Sequence, residues 1–151
     1  MPEVRIAHDW NEADLDLIHG FISRSYWAEG MPRELLARAM RGSLNFLLRA
    51  VDSDELLGYA RVISDRATFA YLCDVFVVER LRGQGLGKRL MEAVMAHEDL
   101  QGLRRFSLFT RDAHALYARY GFKPLATPDR GMEIVRPGLY LTTQSKQESS
   151  R

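Results

Sequence analysis

Val77-Val78-Glu79-Arg80-Leu81-Arg82-Gly83-Gln84-Gly85-Leu86-Gly87-Lys88 joins two kinds of local pattern in a chain of 151 residues. Residues 68–78, where it begins, are rich in aromatic and β-branched side chains and read as a strand. From Gly85 onward, Leu86, Leu90, Ala93 and Val94 recur with the helical period, so the glycines form a strand-to-helix turn. Such a turn presents unpaired backbone N–H groups beside the positive end of a helix dipole, which suits an anion. Gly83, Gly85 and Gly87 are expected to supply positive φ and close backbone approach, with charge from Arg82 and Lys88 at the rim. A nucleotide P-loop would need glycine at Arg82 and Ser or Thr at Arg89, and a dinucleotide fingerprint starting at Gly83 would need glycine at Lys88. Neither spacing is met, which leaves a cradle for another phosphate-bearing ligand or a tight strand-to-helix turn that merely uses glycines.

Outward from this turn, the pattern alternates between strand and helix. Residues 4–8 read as a strand, and 11–25 as a helix with Leu15, Ile18 and Ile22 on one face. Tyr26 and Trp27 precede Gly30 and Pro32, and a short helix resumes over 33–40. Residues 45–51 and 56–64 form a hairpin about the polar turn 52–55. Beyond the glycine turn come a strand at 105–110 and a helix, capped by Asp112, that carries Ala113, Leu116, Tyr117 and Tyr120 on one face and ends at Gly121. Residues 122–125 and 132–135 are expected to close the sheet as a pair of strands. The sequence is read as a single domain over 1–141, with 142–151 a polar, disordered tail.

Composition narrows the function. With 46% hydrophobic and 27% charged residues the chain is ordinary for a globular protein, and no apolar run approaches the roughly 20 residues that span a bilayer. A formal net charge of +1 gives no concentrated basic face for nucleic acid. The start carries no basic or apolar leader pattern, and a lone Cys73 makes no internal disulfide and belongs to no zinc-ligand spacing. The expectation is a cytoplasmic protein without a metal, without membrane or nucleic-acid partners, and either monomeric or homodimeric.

The spacing Arg82-x-x-Gly85-x-Gly87 resembles the pyrophosphate motif of the GNAT superfamily of acetyl-CoA-dependent N-acetyltransferases, with Glu79 standing where proline is common. Residues 113–122, a tyrosine-bearing helix closing in Gly121-Phe122, resemble the second motif of that family, with Thr110 where asparagine is frequent. The resemblance implies an α/β (α+β) three-layer fold, a mixed central sheet of six to seven strands flanked by about four helices. It also implies acetyl-CoA as co-substrate, its diphosphate held by Arg82, Gly83, Gln84, Gly85, Leu86, Gly87 and Lys88. Backbone groups of Phe76, Val77 and Val78 would pair with the pantetheine arm, and an amide near Val77 would polarise the thioester carbonyl.

Tyr117 is then the candidate general acid at the sulfur, because a phenol of pKa about 10 can protonate a thiolate whose own pKa is about 8.5. An alkylamine of pKa about 10.4 is neutral only about one part in 2,500 at pH 7, so a base is expected. Asp74 is the first candidate, a carboxylate in an apolar strand. It could equally accept backbone N–H bonds or hold the substrate ammonium. Cys73 has no recognisable base beside it and is read as a small buried hydrophobe. The family places the acceptor under the first helices and their loop, which gives Phe21, Tyr26, Trp27 and the turn 30–33 that task. The expected reaction is acetyl transfer to the primary amine of a small molecule by direct attack in a ternary complex. A protein or peptide acetyltransferase and a non-catalytic acyl-CoA-binding regulatory module are the alternatives.

Overall fold

The computed structural model describes residues 2–141, so the reading of 142–151 as a tail lies outside the described residues. The elements run β1 (Val4–Ala7), α1 (Glu12–Ile22), α2 (Arg33–Arg41), β2 (Leu44–Ala50), β3 (Leu56–Ser64), β4 (Phe69–Val77), α3 (Leu86–Ala96), β5 (Arg105–Leu108) and α4 (His114–Ala118). The five strands lie in sequence order in one sheet. β1 to β4 are antiparallel neighbours and β5 joins β4 in parallel, so the sheet is mixed. Among the described residues no helix is long and apolar enough to cross a membrane.

Three layers follow from which side chains each strand sends to which face. Every residue of β2 is buried, as expected for a strand covered on both sides. Phe46 and Leu48 join Leu57, Ala60, Val62 and Leu72 under Leu86, Leu90 and Val94 of α3. Leu47, Tyr59 and Phe76 face Leu15, Ile18 and Ile22 of α1 and Leu36 and Met40 of α2. Each fully buried aliphatic side chain contributes roughly 1.5–3 kcal/mol, so the two clusters together hold the layers in place. Gly58 marks the closest approach, since a Cβ there would lie 3.0 Å from the Phe76 carbonyl oxygen and 3.2 Å from Leu90 Cδ1.

The helix over α1 is fixed at its start by reciprocal bonds. The Asp14 amide donates to Asn11 Oδ1 at 2.8 Å and the Asn11 amide to Asp14 Oδ2 at 2.9 Å. The same Asp14 receives both guanidinium nitrogens of Arg49 from β2, at 3.0 and 2.6 Å, in a pair whose side chains are only 6% and 8% exposed.

The sheet is shorter than expected. Residues 122–125 and 132–135, read as closing strands, make no strand pairing, and among the described residues the count is five rather than six to seven. Pro124, Pro128 and Pro137 remove donors from this stretch, and a short 3₁₀ turn at Pro128–Arg130 interrupts it. The expected helix from Asp112 to Tyr120 is also shorter, covering His114–Ala118. Its N-cap is Ala113, whose amide donates to Thr110 Oγ1 at 3.0 Å, and not the side chain of Asp112.

Because Asp14 serves both the cap and a buried ion pair, Asp14→Ala is expected to lower unfolding free energy by about 3–5 kcal/mol in urea denaturation, leaving Arg49 buried without its partner. A loss below about 1 kcal/mol would show that the pair carries no such burden.

Candidate active site

β4 carries the site because it changes partner and face within a few residues. Its parallel pairing with β5 runs from Phe69 to Leu72 and ends there. Its register with β3 shifts between Tyr59 and Arg61, and Asp74 adopts φ +53°. The extra residue is a bulge, and it moves side chains across the sheet. Ala70 and Leu72, before it, face α3, whereas Phe76, after it, faces α1 and stacks on Phe21 with ring centroids 4.0 Å apart.

Past the bulge the free edge of β4 faces the gap left by β5. The Val78 amide donates to the Leu57 carbonyl at 2.9 Å, which with the register Phe76↔Tyr59 and Val77↔Gly58 makes Val77 the residue whose N–H and C=O point away from β3. Arg82 Nε caps that carbonyl at 3.3 Å, with its guanidinium 5.9 Å from the Phe21 ring centre. The Val77 amide is thus aimed into the gap, while those of Phe76 and Val78 face β3.

The strand-to-helix turn has the geometry of an anion cradle. Gly83 and Gly85 both have φ +81°, and Gly85 is the N-cap of α3 with no side-chain cap. Gly87 is helical and does not use positive φ, contrary to the sequence expectation; it contributes open space instead. A Cβ built at Gly83, Gly85 or Gly87 would meet nothing within 4 Å, so the first-turn amides are unobstructed. Leu86 is buried in the core, so only its backbone is on offer. The Lys88 ammonium is exposed, 3.9 Å from Glu92. These backbone donors and cations suit a phosphate-bearing ligand.

Beside the gap lies a cavity of about 330 Å³ lined by Tyr26, Trp27, residues 71–75 of β4, residues 108–113 and Tyr117. It brings together Asp74, Tyr117, Tyr26 and Trp27. Phe21 lies instead under Arg82 against Phe76, and Arg33 is tied to Glu12 and Asp16 of α1. Asp74 is buried and both its oxygens are engaged: the Trp27 indole Nε1 donates to Oδ1 and Arg61 Nε to Oδ2, each at 2.8 Å. Arg61 was not singled out from the sequence, although a lone arginine in the buried strand beside one carrying a lone aspartate was the signal for it. Arg111 was missed too: its guanidinium lies 3.9 Å over the Tyr26 ring and its amide donates to the Tyr26 hydroxyl at 3.2 Å. An exposed loop arginine offers no sequence cue.

Burial pushes the Tyr117 phenol above its usual pKa, with Tyr26 and Asp112 nearby adding to the effect, so it holds its proton at neutral pH. Tyr120 packs at the rim of the α3 cluster, as its spacing suggested. Cys73 lies next to Asp74 and is half-buried in the cavity wall, not the fully buried hydrophobe expected, and the partial burial pushes its thiol up to about 12 despite the Arg61 charge.

The sequence model of the Acetyltransferase (GNAT) family matches residues 7–122. A crystal structure from Xanthomonas campestris pv. campestris, described as belonging to the GNAT family, is 52% identical. It superposes with a TM-score of 0.87 over 93% of this chain and 98% of that one. A Gibberella zeae protein bearing an acetyltransferase name is 30% identical over 126 residues, 70% of each chain. N-alpha-acetyltransferase 80 of Mus musculus is 34% identical over 89 residues, which span 58% of this chain but 28% of that protein.

With its thiol held so far from ionisation, Cys73 is expected to react with iodoacetamide at pH 8 at least about 100-fold more slowly than free cysteine, as followed by mass spectrometry. Labelling at the free-thiol rate would contradict the raised thiol pKa and reopen a nucleophilic role.

Proposed function

The chain belongs to the GNAT family of acetyltransferases, and from that premise we propose that it moves the acetyl group of acetyl-CoA to the primary amine of a small molecule by direct attack in a ternary complex. The observation that carries this reading is the cavity where β4 leaves β5. It brings the end of an open strand, Tyr117 and a pair of aromatics together beside an unobstructed glycine cradle.

In this proposal the amides of residues 83–88 and the side chains of Arg82 and Lys88 hold the diphosphate. Seating it draws Arg82 away from the Val77 carbonyl and leaves that peptide to pair with the pantetheine arm as a neighbouring strand would. The Val77 N–H polarises the thioester carbonyl. As the neutral amine nitrogen bonds to the carbonyl carbon and the carbon–sulfur bond breaks, Tyr117 gives its proton to the departing sulfur and is reprotonated by the proton that the nitrogen sheds on becoming an amide. Asp74, with both oxygens taken, fixes Trp27 over the acceptor space and balances Arg61. That occupancy favours a holding role over proton removal, so the ammonium proton leaves to water. A volume near 330 Å³, walled by Tyr26 and Trp27, falls at the small end of ordinary ligand pockets and suits a compact amine.

The name of the mouse relative supports a second reading, in which the acceptor is the α-amino group of a protein. A panel of small amines and short peptides, scored by thiol release from acetyl-CoA, separates the two, and no release with any acceptor would leave only a binding module. Tyr117→Phe is expected to keep cofactor affinity and lower kcat at least tenfold, and any Tyr117-dependent fall of the wild-type rate with rising pH is expected to come later than for an ordinary phenol, since burial raises its pKa. Unchanged turnover in the variant would remove Tyr117 from the acid role.

A further inference from the structure

Three charged residues line the cavity that holds Tyr117, and the fold satisfies only one of them. Asp74 is balanced from within, by the guanidinium of Arg61 and the indole of Trp27. Arg111 and Asp112 are not. Both are exposed, and among the described residues neither forms an ion pair and the Arg111 guanidinium donates no hydrogen bond. A buried charge without a partner would be costly, but at the wall of an open cavity it is a group available to a ligand.

Arg111 is held in position for that purpose. Its guanidinium rests 3.9 Å from the centre of the Tyr26 ring, while its backbone N–H donates to the Tyr26 hydroxyl at 3.2 Å. Resting on a ring engages none of its N–H donors, which keep the fork geometry that matches a carboxylate. A cation already placed in this way loses less freedom when its ligand arrives. Asp112 lies within electrostatic reach of the Tyr117 hydroxyl, whose proton it helps to hold, so its charge sits near the place the amine has to reach.

The unsatisfied charges of the wall are therefore one of each sign, and this discriminates among acceptors. A plain alkylamine, cationic before it gives up its proton, matches Asp112 but sets a like charge against Arg111. A phosphate-bearing amine brings about two negative charges to a single guanidinium and repels Asp112. A zwitterion answers both, and Trp27, Tyr71 and Phe109 line the rest of the space for an apolar portion. We propose that the acceptor is a small aminocarboxylate of the amino acid class, its carboxylate received by Arg111 and its amino group drawn toward Tyr117 by Asp112. This rests on the acetyl-transfer reading and narrows it. Arg111 then determines specificity and takes no part in bond making. The same carboxylate separates a free amino acid from a protein amino terminus, in which that carbon is an amide.

Two readouts keep this inference apart from the reaction beneath it. Free amino acids of graded side-chain size, their carboxamides and aminoalkyl phosphates are each offered with acetyl-CoA, and thiol release is resolved into kcat and KM. The amino acids are expected to exceed their amides at least about tenfold in kcat/KM, mostly through KM, and Arg111→Gln to bring the two within about threefold. Arg111→Lys, which keeps the charge without the fork, should fall between them. Equal use of acid and amide by the wild type, a preference for the phosphates, or an acid preference that survives Arg111→Gln would overturn the proposal and leave acetyl transfer standing. Calorimetry of the same amino acids added to the chain saturated with coenzyme A, which has no acetyl group to give, reads the pocket without turnover. Saturable heat whose affinity falls at least about tenfold in Arg111→Gln would uphold the carboxylate site even with no acceptor turned over. Absence of turnover and of heat with every amino acid would overturn it.

Discussion

Everything at the site depends on β4 losing one neighbour before it loses the other. Its bonds to β5 stop at Leu72 while those to β3 continue to Val78, so one edge of the strand is left bare across the middle of the sheet. Unpaired backbone groups inside a fold demand partners, and a bare strand edge accepts an extended chain readily. The bulge at Asp74 adds a second consequence. By switching faces there, the strand can bury Phe76 under α1 and still present Asp74 to the cavity, and it leads without a break into the glycine turn. Strand edge, cavity wall and glycine turn are thus successive stations of one chain segment.

The helical layer over this segment is fastened by charge as well as by packing. Asp14 and Arg49 tie α1 to β2, while Asp74 and Arg61, joined by the Trp27 indole, tie the loop after α1 to β3 and β4. Breaking a buried pair costs far more than the pair contributes over an apolar substitute, so such links specify position rather than supply stability. Here they hold two aromatic side chains over a cavity. Arg111, lying on Tyr26, closes the same wall from the β5 side.

The helix and strand order was readable because hydrophobic period changes sharply at the glycine turn and at the hairpin. The glycine turn was readable for a different reason: glycines at such spacing have few uses other than left-handed turns and close backbone approach, and Gly83 and Gly85 are left-handed here. Tyr117 and Asp74 were identified by residue type against an apolar background, and they line one cavity. What could not be read was pairwise. Nothing local in the sequence says that Asp74 is the inserted residue of a bulge, that its oxygens are both occupied, or that Phe21 lies under Arg82. The closing strands failed for a similar reason. A strand pattern records only that a segment can pair, and residues 132–135 pair with none of the described strands.

The central claim is that a coenzyme A diphosphate rests on the bare amides between β4 and α3. Isothermal titration of acetyl-CoA into the wild-type chain and into Gly85→Val tests it directly, since valine at φ +81° is strained and projects its side chain into the cradle. The expected result is saturable heat with one site per chain for the wild type and at least about a hundredfold weaker binding for the variant. Equal binding by both, or no heat from the wild type at millimolar acetyl-CoA, would contradict it.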